Sequence, residues 1–232
     1  MHQNQIEKLL EATVGFGKSN GVALSQSLEE KALFLIRWVE FLAVAKKTGC
    51  ADELLEGVMC AVRETAACIA LGLARPALFS LRAQIDLLLT WIYFKDHPIE
   101  WRQVNASGEG FKLKTEILKY LTEMYPSFGM RFGILKQVRA RREEDPYRLL
   151  SAHIHAQTTA VMPNVVNLTD AIAPQKTLEE CVEIEFEVCE YLNDVLASAF
   201  LEDHHKFPDE IRRGILDRMA TAAQKATLFA GV

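Results

Sequence analysis

ARPALFSLRAQIDLLLTWIYF, residues 74–94, is the stretch on which the fold turns. Leu78, Phe79, Leu81, Ile85, Leu87, Leu88, Leu89, Trp91, Ile92 and Phe94 make it apolar on most sides of a helix, with no strand-like alternation. Pro76 falls in the first turn, where a missing N–H is tolerated. Arg75, Arg82 and Asp86 lie inside the apolar region from Cys68 to Phe94, and three charges are costly in hydrocarbon. The segment therefore reads as a buried helix, not a membrane span. A helix of this kind belongs at the centre of a bundle or in an oligomer interface. Arg82 and Asp86 are spaced i,i+4, so they are placed to pair as they are buried.

Working outward, the rest of the chain repeats helical periodicity. Gly15 to Asn20 reads as a loop, and Ser25 or Ser27 as the cap of a helix carrying Glu29 and Glu30 in its first turn. Ala32, Leu35, Ile36, Val39 and Leu42 form its apolar stripe, and Lys46, Lys47 and Gly49 end it. Asp52 is expected to cap a helix that runs to Leu71, with Gly72 as the break. His97-Pro98 breaks the apolar helix, and Asn105 to Gly110 is a loop. Further helices are expected at Phe111–Met124, Met130–Arg142 and Pro146–Gln157, the last opened by Asp145 as cap and Pro146 at its first position. Thr158 to Thr177, with Pro163, Asn164, Asn167 and Pro174, reads as irregular. Thr177 and Glu180 have capping-box spacing before a long helix to Leu201, and a last helix spans Asp209 to Leu228.

This pattern predicts an all-α fold, a multi-helix bundle of about eight or nine helices. It is read as a single domain over 1–232, with the helices of 177–228 packing on the core. Without strand alternation or a glycine-rich phosphate loop, the dinucleotide-binding α/β folds are excluded.

Half of the 232 residues are hydrophobic and a quarter charged, the balance of a globular protein. The polar start at His2, Gln3, Asn4 and Gln5 lacks the apolar stretch of a signal peptide, so a cytoplasmic location is expected. The five cysteines are odd in number and have no C-x-x-C spacing; Cys60/Cys68 and Cys181/Cys189 are eight apart and read as free core thiols. Net charge is −5, yet residues 101–150 hold ten Lys/Arg against six Asp/Glu, a possible polyanion site or a solvated helix face.

The segment that stands out chemically is Tyr147-Arg148-Leu149-Leu150-Ser151-Ala152-His153-Ile154-His155. Arg148 followed at short spacing by His153 and His155 resembles the Arg–His motif of the HEPN superfamily, helical bundles that include metal-independent ribonucleases. The resemblance covers roughly residues 60–160, with a HEPN-like core at roughly 50–160. It implies an RNA-directed protein, a metal-independent endoribonuclease of a toxin or antiviral defence system. It implies a homodimer, since two subunits would bring two such pairs to one cleft, and a cognate antitoxin or defence partner. Arg148, His153 and His155 are then the candidate catalytic residues, and Lys136, Arg139, Arg141 and Arg142 the candidate nucleic-acid contacts.

The residue chemistry is consistent with this. Cleaving RNA without a metal needs a group that moves protons near neutral pH, which imidazole does. A guanidinium can hold the phosphate and its developing charge. At 100° per residue, Arg148 and His155 lie about 20° apart around a helix, while Arg148 and His153 lie about 140° apart. Arg148 can instead pair with Glu144 or Asp145, with His153 an interior histidine.

Metal ligation by His153 and His155, or by His204 and His205 beside Glu202, Asp203 and Asp209, lacks a His-x-x-x-His pair, so no metal and no cofactor are expected. The competing class is a non-catalytic helical scaffold that binds a protein partner. Exposure separates the two readings: chemistry needs Arg148 and a histidine in the open.

Overall fold

The computed structural model describes residues 2–162 and 164–230; Pro163, read above as part of an irregular stretch, lies outside them. Helix accounts for 78 % of the chain, and no strand occurs among the described residues, so the fold is all-α as expected. The described α-helices are α1 His2–Phe16, α2 Val22–Ala45, α3 Glu53–Ala70, α4 Ala74–Phe94, α5 Pro98–Ser107, α6 Lys114–Met124, α7 Phe128–Gln137, α8 Pro146–Ile154, α9 Gln175–Phe200, α10 Asp209–Asp217 and α11 Ala222–Leu228.

The chain groups into two compact units. The first contains Met1–Leu33, Cys60–Gln84 and Asp145–Val188. Its core is built by spacings of three and four: Leu28 and Ala32 of α2, Val62 and Ile69 of α3, Ala77 and Leu81 of α4, and Leu178 and Val182 of α9 are all buried. Among the polar groups buried with them, the Gln84 amide nitrogen donates to Thr65 Oγ1 at 3.3 Å and to Glu185 Oε2 at 2.8 Å.

The second unit contains Phe34–Met59, Ile85–Glu144 and Cys189–Val232. Its core holds Leu35, Trp38 and Leu42 of α2, Ile85, Leu88, Trp91 and Ile92 of α4, and Leu192, Val195 and Leu196 of α9. The ring of Trp38 meets Phe207 edge-on at 4.9 Å, and Phe41 completes the aromatic cluster at 5.4 Å from Phe207. Helix α4 has the length and composition to cross a membrane, but 72 % of that window is covered by the protein's own side chains, as in a core helix.

Several local expectations are corrected. Gly15 to Asn20 is not a loop: α1 runs to Phe16 and continues through a π-helical segment, Gly17–Gly21, into α2. Gly21 is there for close approach. A Cβ on Gly21 would stand 2.4 Å from the backbone oxygen of Ala70, so only glycine lets the two helices meet. Ser25 and Ser27 therefore lie inside α2 and cap nothing. Asp52 precedes α3 as expected, but its carboxylate reaches back to the N–H groups of Gly49 (2.7 Å) and Thr48 (3.1 Å). Pro98 both ends one helix and starts the next: α5 follows, closed by Gly108 at φ 73°, whose N–H donates to Val104 O at 2.7 Å. Helix α7 stops at Gln137, five residues short of Arg142. Helix α9 starts at Gln175, which leaves Thr177 inside it and no capping box there.

Candidate functional site

The candidate site is built on α8, in the first unit. The Asp145 carboxylate accepts the backbone N–H of Arg148 at 3.3 Å, and Pro146 occupies the first turn, so the helix starts where the sequence predicts. Pro146 and Leu150 are buried on one side. Arg148 and His155 are exposed, and His153 is half-buried. His155 is the C-terminal capping residue, and the chain turns just beyond it through Ala156 at φ 46°. Arg148 and His155 thus share the outer face of the helix, about 10 Å apart along its axis. Among the described residues the Arg148 side chain makes no ion pair, and Glu144 is taken by Lys136 at 2.5 Å.

Helix α4 supplies the rest of the site. The Arg82 guanidinium lies over the Tyr147 ring, 3.4 Å from its centroid, and donates to Ser151 Oγ at 2.5 Å. Ser151 in turn donates to the carbonyl of Tyr147 at 2.7 Å, so a single arginine grips one turn of α8. Two turns earlier on α4, Arg75 lies 5.5 Å from the Phe79 ring. Burial holds the His153 imidazole below its ordinary pKa, and the charge of Arg75 pushes in the same direction. Arg82 thus meets α8 at residues 147 and 151, and the charge of Arg75 bears on His153. Three guanidiniums, Arg75, Arg82 and Arg148, and two imidazoles therefore gather on one helix pair.

The sequence-predicted residues are divided by this arrangement. Arg148 and His155 come together on the open side, and His153 sits on the α4 side. Lys136, Arg139, Arg141 and Arg142 belong to the second unit. Arg141 is fully buried and ion-paired with Asp194, with its Nε donating to Glu143 O at 3.0 Å. Its guanidinium neutralises an interior carboxylate and offers nothing to a phosphate, which corrects its expected role. Lys136 is engaged with Glu144, Arg139 donates to the carbonyl of Lys136 at 2.8 Å, and Arg142 is exposed. Arg75, Arg82 and Tyr147 were missed. Their signal was the i,i+7 spacing of Arg75 and Arg82, which puts both on one face of α4.

His153 and His155 fall on different sides of α8, and no group of three or more His, Cys, Asp or Glu side chains able to hold a metal occurs among the described residues. The five cysteines are free; burial pushes the Cys181 thiol up to about 12, out of the reactive range. Compared with known proteins, the chain matches no family model, no curated sequence and no solved structure.

Proposed function

We propose that the α4–α8 surface binds RNA and cleaves it without a metal, as the HEPN-like resemblance of the Arg148–His155 segment implies. The observation that carries the reading is the exposure of Arg148 and His155 on one face of α8, a helix that Arg82 of α4 holds at Tyr147 and Ser151. In this reaction Arg148 holds the scissile phosphate and spreads its developing charge. His155 withdraws the proton of the 2′-hydroxyl, whose oxygen attacks phosphorus. The bond from phosphorus to the 5′ oxygen breaks and that oxygen takes up the proton that His155 removed, which leaves a cyclic phosphate, a 5′-hydroxyl and a neutral imidazole. Arg75 meets a neighbouring phosphate, Arg82 holds α8 in place, and His153 lines the inner side of the site. A homodimer would double the Arg–His pair, and a toxin or antiviral role in the cytoplasm, with a cognate antitoxin or defence partner, fits such an activity.

The competing reading is a non-catalytic scaffold for a protein partner. In its favour, Ile6, Leu10 and Val14 form a row along α1 and are 44 %, 60 % and 54 % exposed.

The test is cleavage of varied RNAs by the purified chain in excess EDTA. Arg148→Ala and His155→Ala are each expected to lower the rate by about 100-fold or more, and His153→Ala by less. Arg148→Ala should also reduce the salt dependence of RNA binding by about one unit of slope. Neither binding nor cleavage of any RNA by the folded wild type would overturn the proposal in favour of the scaffold.

A further inference from the structure

We propose that a cavity in the second unit, where the C-terminal ends of α2, α4, α6 and α9 meet, binds a neutral saccharide through one pyranose ring. The proposal is independent of the RNA reading and concerns a different set of residues.

The cavity holds about 400 Å³, and every residue that lines it belongs to the second unit. It is built from helix ends. Lys46 follows α2, Lys95 and Asp96 follow α4, Tyr125 follows α6, and Phe200 closes α9 with Glu202 and Asp203 just beyond. A lysine placed past the last turn offsets the negative end of a helix dipole, which accounts for Lys46 and Lys95. Both ammoniums approach the Phe200 ring, at 5.5 and 5.7 Å from its centroid, and Lys95 also lies 5.3 Å from the Tyr125 ring. Phe200 packs in turn on the buried Trp91, with ring centroids 6.1 Å apart. Only 10 % of the Lys95 side chain is exposed, so its ammonium is a fixed part of the lining.

Charge balance selects the ligand. Lys95 donates to both oxygens of Asp96 at 2.8 and 2.9 Å, and the hydroxyls of Tyr120 and Tyr125 donate to the same carboxylate at 3.1 and 2.8 Å. Asp203 pairs with Lys46 and, at 2.7 Å, with Lys206, while Glu202 lies 3.8 Å from Arg131. Burial pushes the Asp96 carboxyl up, yet the hydrogen bonds from Lys95 and Tyr125 hold it below its ordinary pKa, so the pair stays ionised near neutrality. Each charge that lines the cavity thus has its counter-charge within the protein. A charged ligand would give up its hydration and find no ion to pair with. An apolar ligand would strip water from ammoniums and carboxylates. A ligand with several hydroxyls avoids both costs, because each hydroxyl donates one hydrogen bond and accepts two. The Lys46–Asp203 pair is where they dock: Lys46 has one carboxylate partner and keeps further N–H donors, and Asp203 keeps acceptor positions beyond its two lysines. The rings of Tyr120, Tyr125 and Phe200 supply the flat apolar lining that the C–H face of a sugar ring covers.

The test uses the full chain and the methyl pyranosides of the D-aldohexoses, in both anomers and at millimolar concentration. Binding is read by saturation-transfer NMR, and the affinity of the best ligand by calorimetry. Its 2-amino and uronic acid analogues and cyclohexanol serve as cationic, anionic and apolar controls. At least one neutral glycoside is expected to bind, about tenfold more tightly than any of the three controls. Lys46→Met keeps the aliphatic stem, leaves Asp203 with Lys206, and should raise the Kd of that glycoside about tenfold. Thr48→Trp fills the cavity from an exposed position between α2 and α3, should abolish binding, and guards against misfolding of the Lys46 variant. No binding of any glycoside by the folded chain, a charged analogue that binds as tightly as the neutral one, or binding that survives Thr48→Trp would overturn the proposal.

Discussion

At the scale of single residues, His153 and the glycines of the first unit carry the clearest consequences. Both influences on His153, burial and the charge of Arg75, disfavour its imidazolium. The unfolded chain titrates near 6.5. At and below that pH it binds more protons than the folded chain, so stability rises with pH across the window. The contribution is complete above the ordinary histidine pKa and is lost as pH falls through it. We predict that His153→Gln loses less thermal stability than wild type between pH 7.5 and pH 5.5, and that Arg75→Ala gives part of the same relief. Equal pH profiles for wild type and His153→Gln would remove this account. The glycines divide by surroundings. Gly21→Ala forces a Cβ to within 2.4 Å of the Ala70 carbonyl and should destabilise by about 1–3 kcal/mol. Gly15 has nothing within 4 Å, so Gly15→Ala should stabilise α1 by about 0.5–1 kcal/mol. Denaturant unfolding of the two variants checks both signs.

At the scale of elements, α8 depends on its first turn. It is a short helix, and isolated helices of its length are not stable in water. Its beginning is fixed by the Asp145 cap and Pro146, and its position by Arg82 gripping Tyr147 and Ser151. Asp145→Ala should therefore cost about 1 kcal/mol and speed amide exchange over residues 146–154 ahead of the rest of the first unit; uniform exchange throughout would count against a local role. The same helix marks what a sequence can disclose. Its start, its apolar side and the pairing of Arg148 with His155 follow from caps and periodicity alone. The arrival of Arg75 and Arg82 does not, because it depends on how α4 meets α8. Gly15 to Asn20 was misread as a loop for the same reason: a glycine serving a turn and one serving close approach look alike until Ala70 is placed beside Gly21. Thr177 and Asp52 show that spacing proposes a cap, while an earlier helix start in the first case and other partners in the second decide whether the side chain makes it.

At the scale of the whole molecule, charge is the quantity that pairing between distant segments redistributes. The basic excess of residues 101–150 is largely met by carboxylates from outside the segment: Lys112 by Glu100, Arg131 by Glu202 and Arg141 by Asp194. Asp194 is held from two sides, since Arg218 also meets it at 2.7 Å. Glu190 stands at the edge of this cluster, 3.6 Å from Arg218. Burial raises its pKa above the ordinary value, and the charge of Asp194 adds to this against the opposing pull of Arg218, Asn193 and Arg141. A carboxyl raised in this way contributes stability below its ordinary pKa, near 4.5, and that contribution is lost as pH rises through its folded value. Asp194→Asn and Glu190→Gln should therefore behave in opposite ways. The first strands the buried guanidinium of Arg141 and leaves Arg218 with Glu190 alone, and should cost about 3–5 kcal/mol, which for a chain of this size lowers Tm on the order of 10 °C. The second removes a charge that burial opposes, so its stability relative to wild type should improve steadily from pH 4 to pH 7. Thermal denaturation of the three proteins across that range decides the matter. A Glu190→Gln variant that instead falls further behind wild type as pH rises would mean that ion pairing with Arg218 outweighs desolvation at this site.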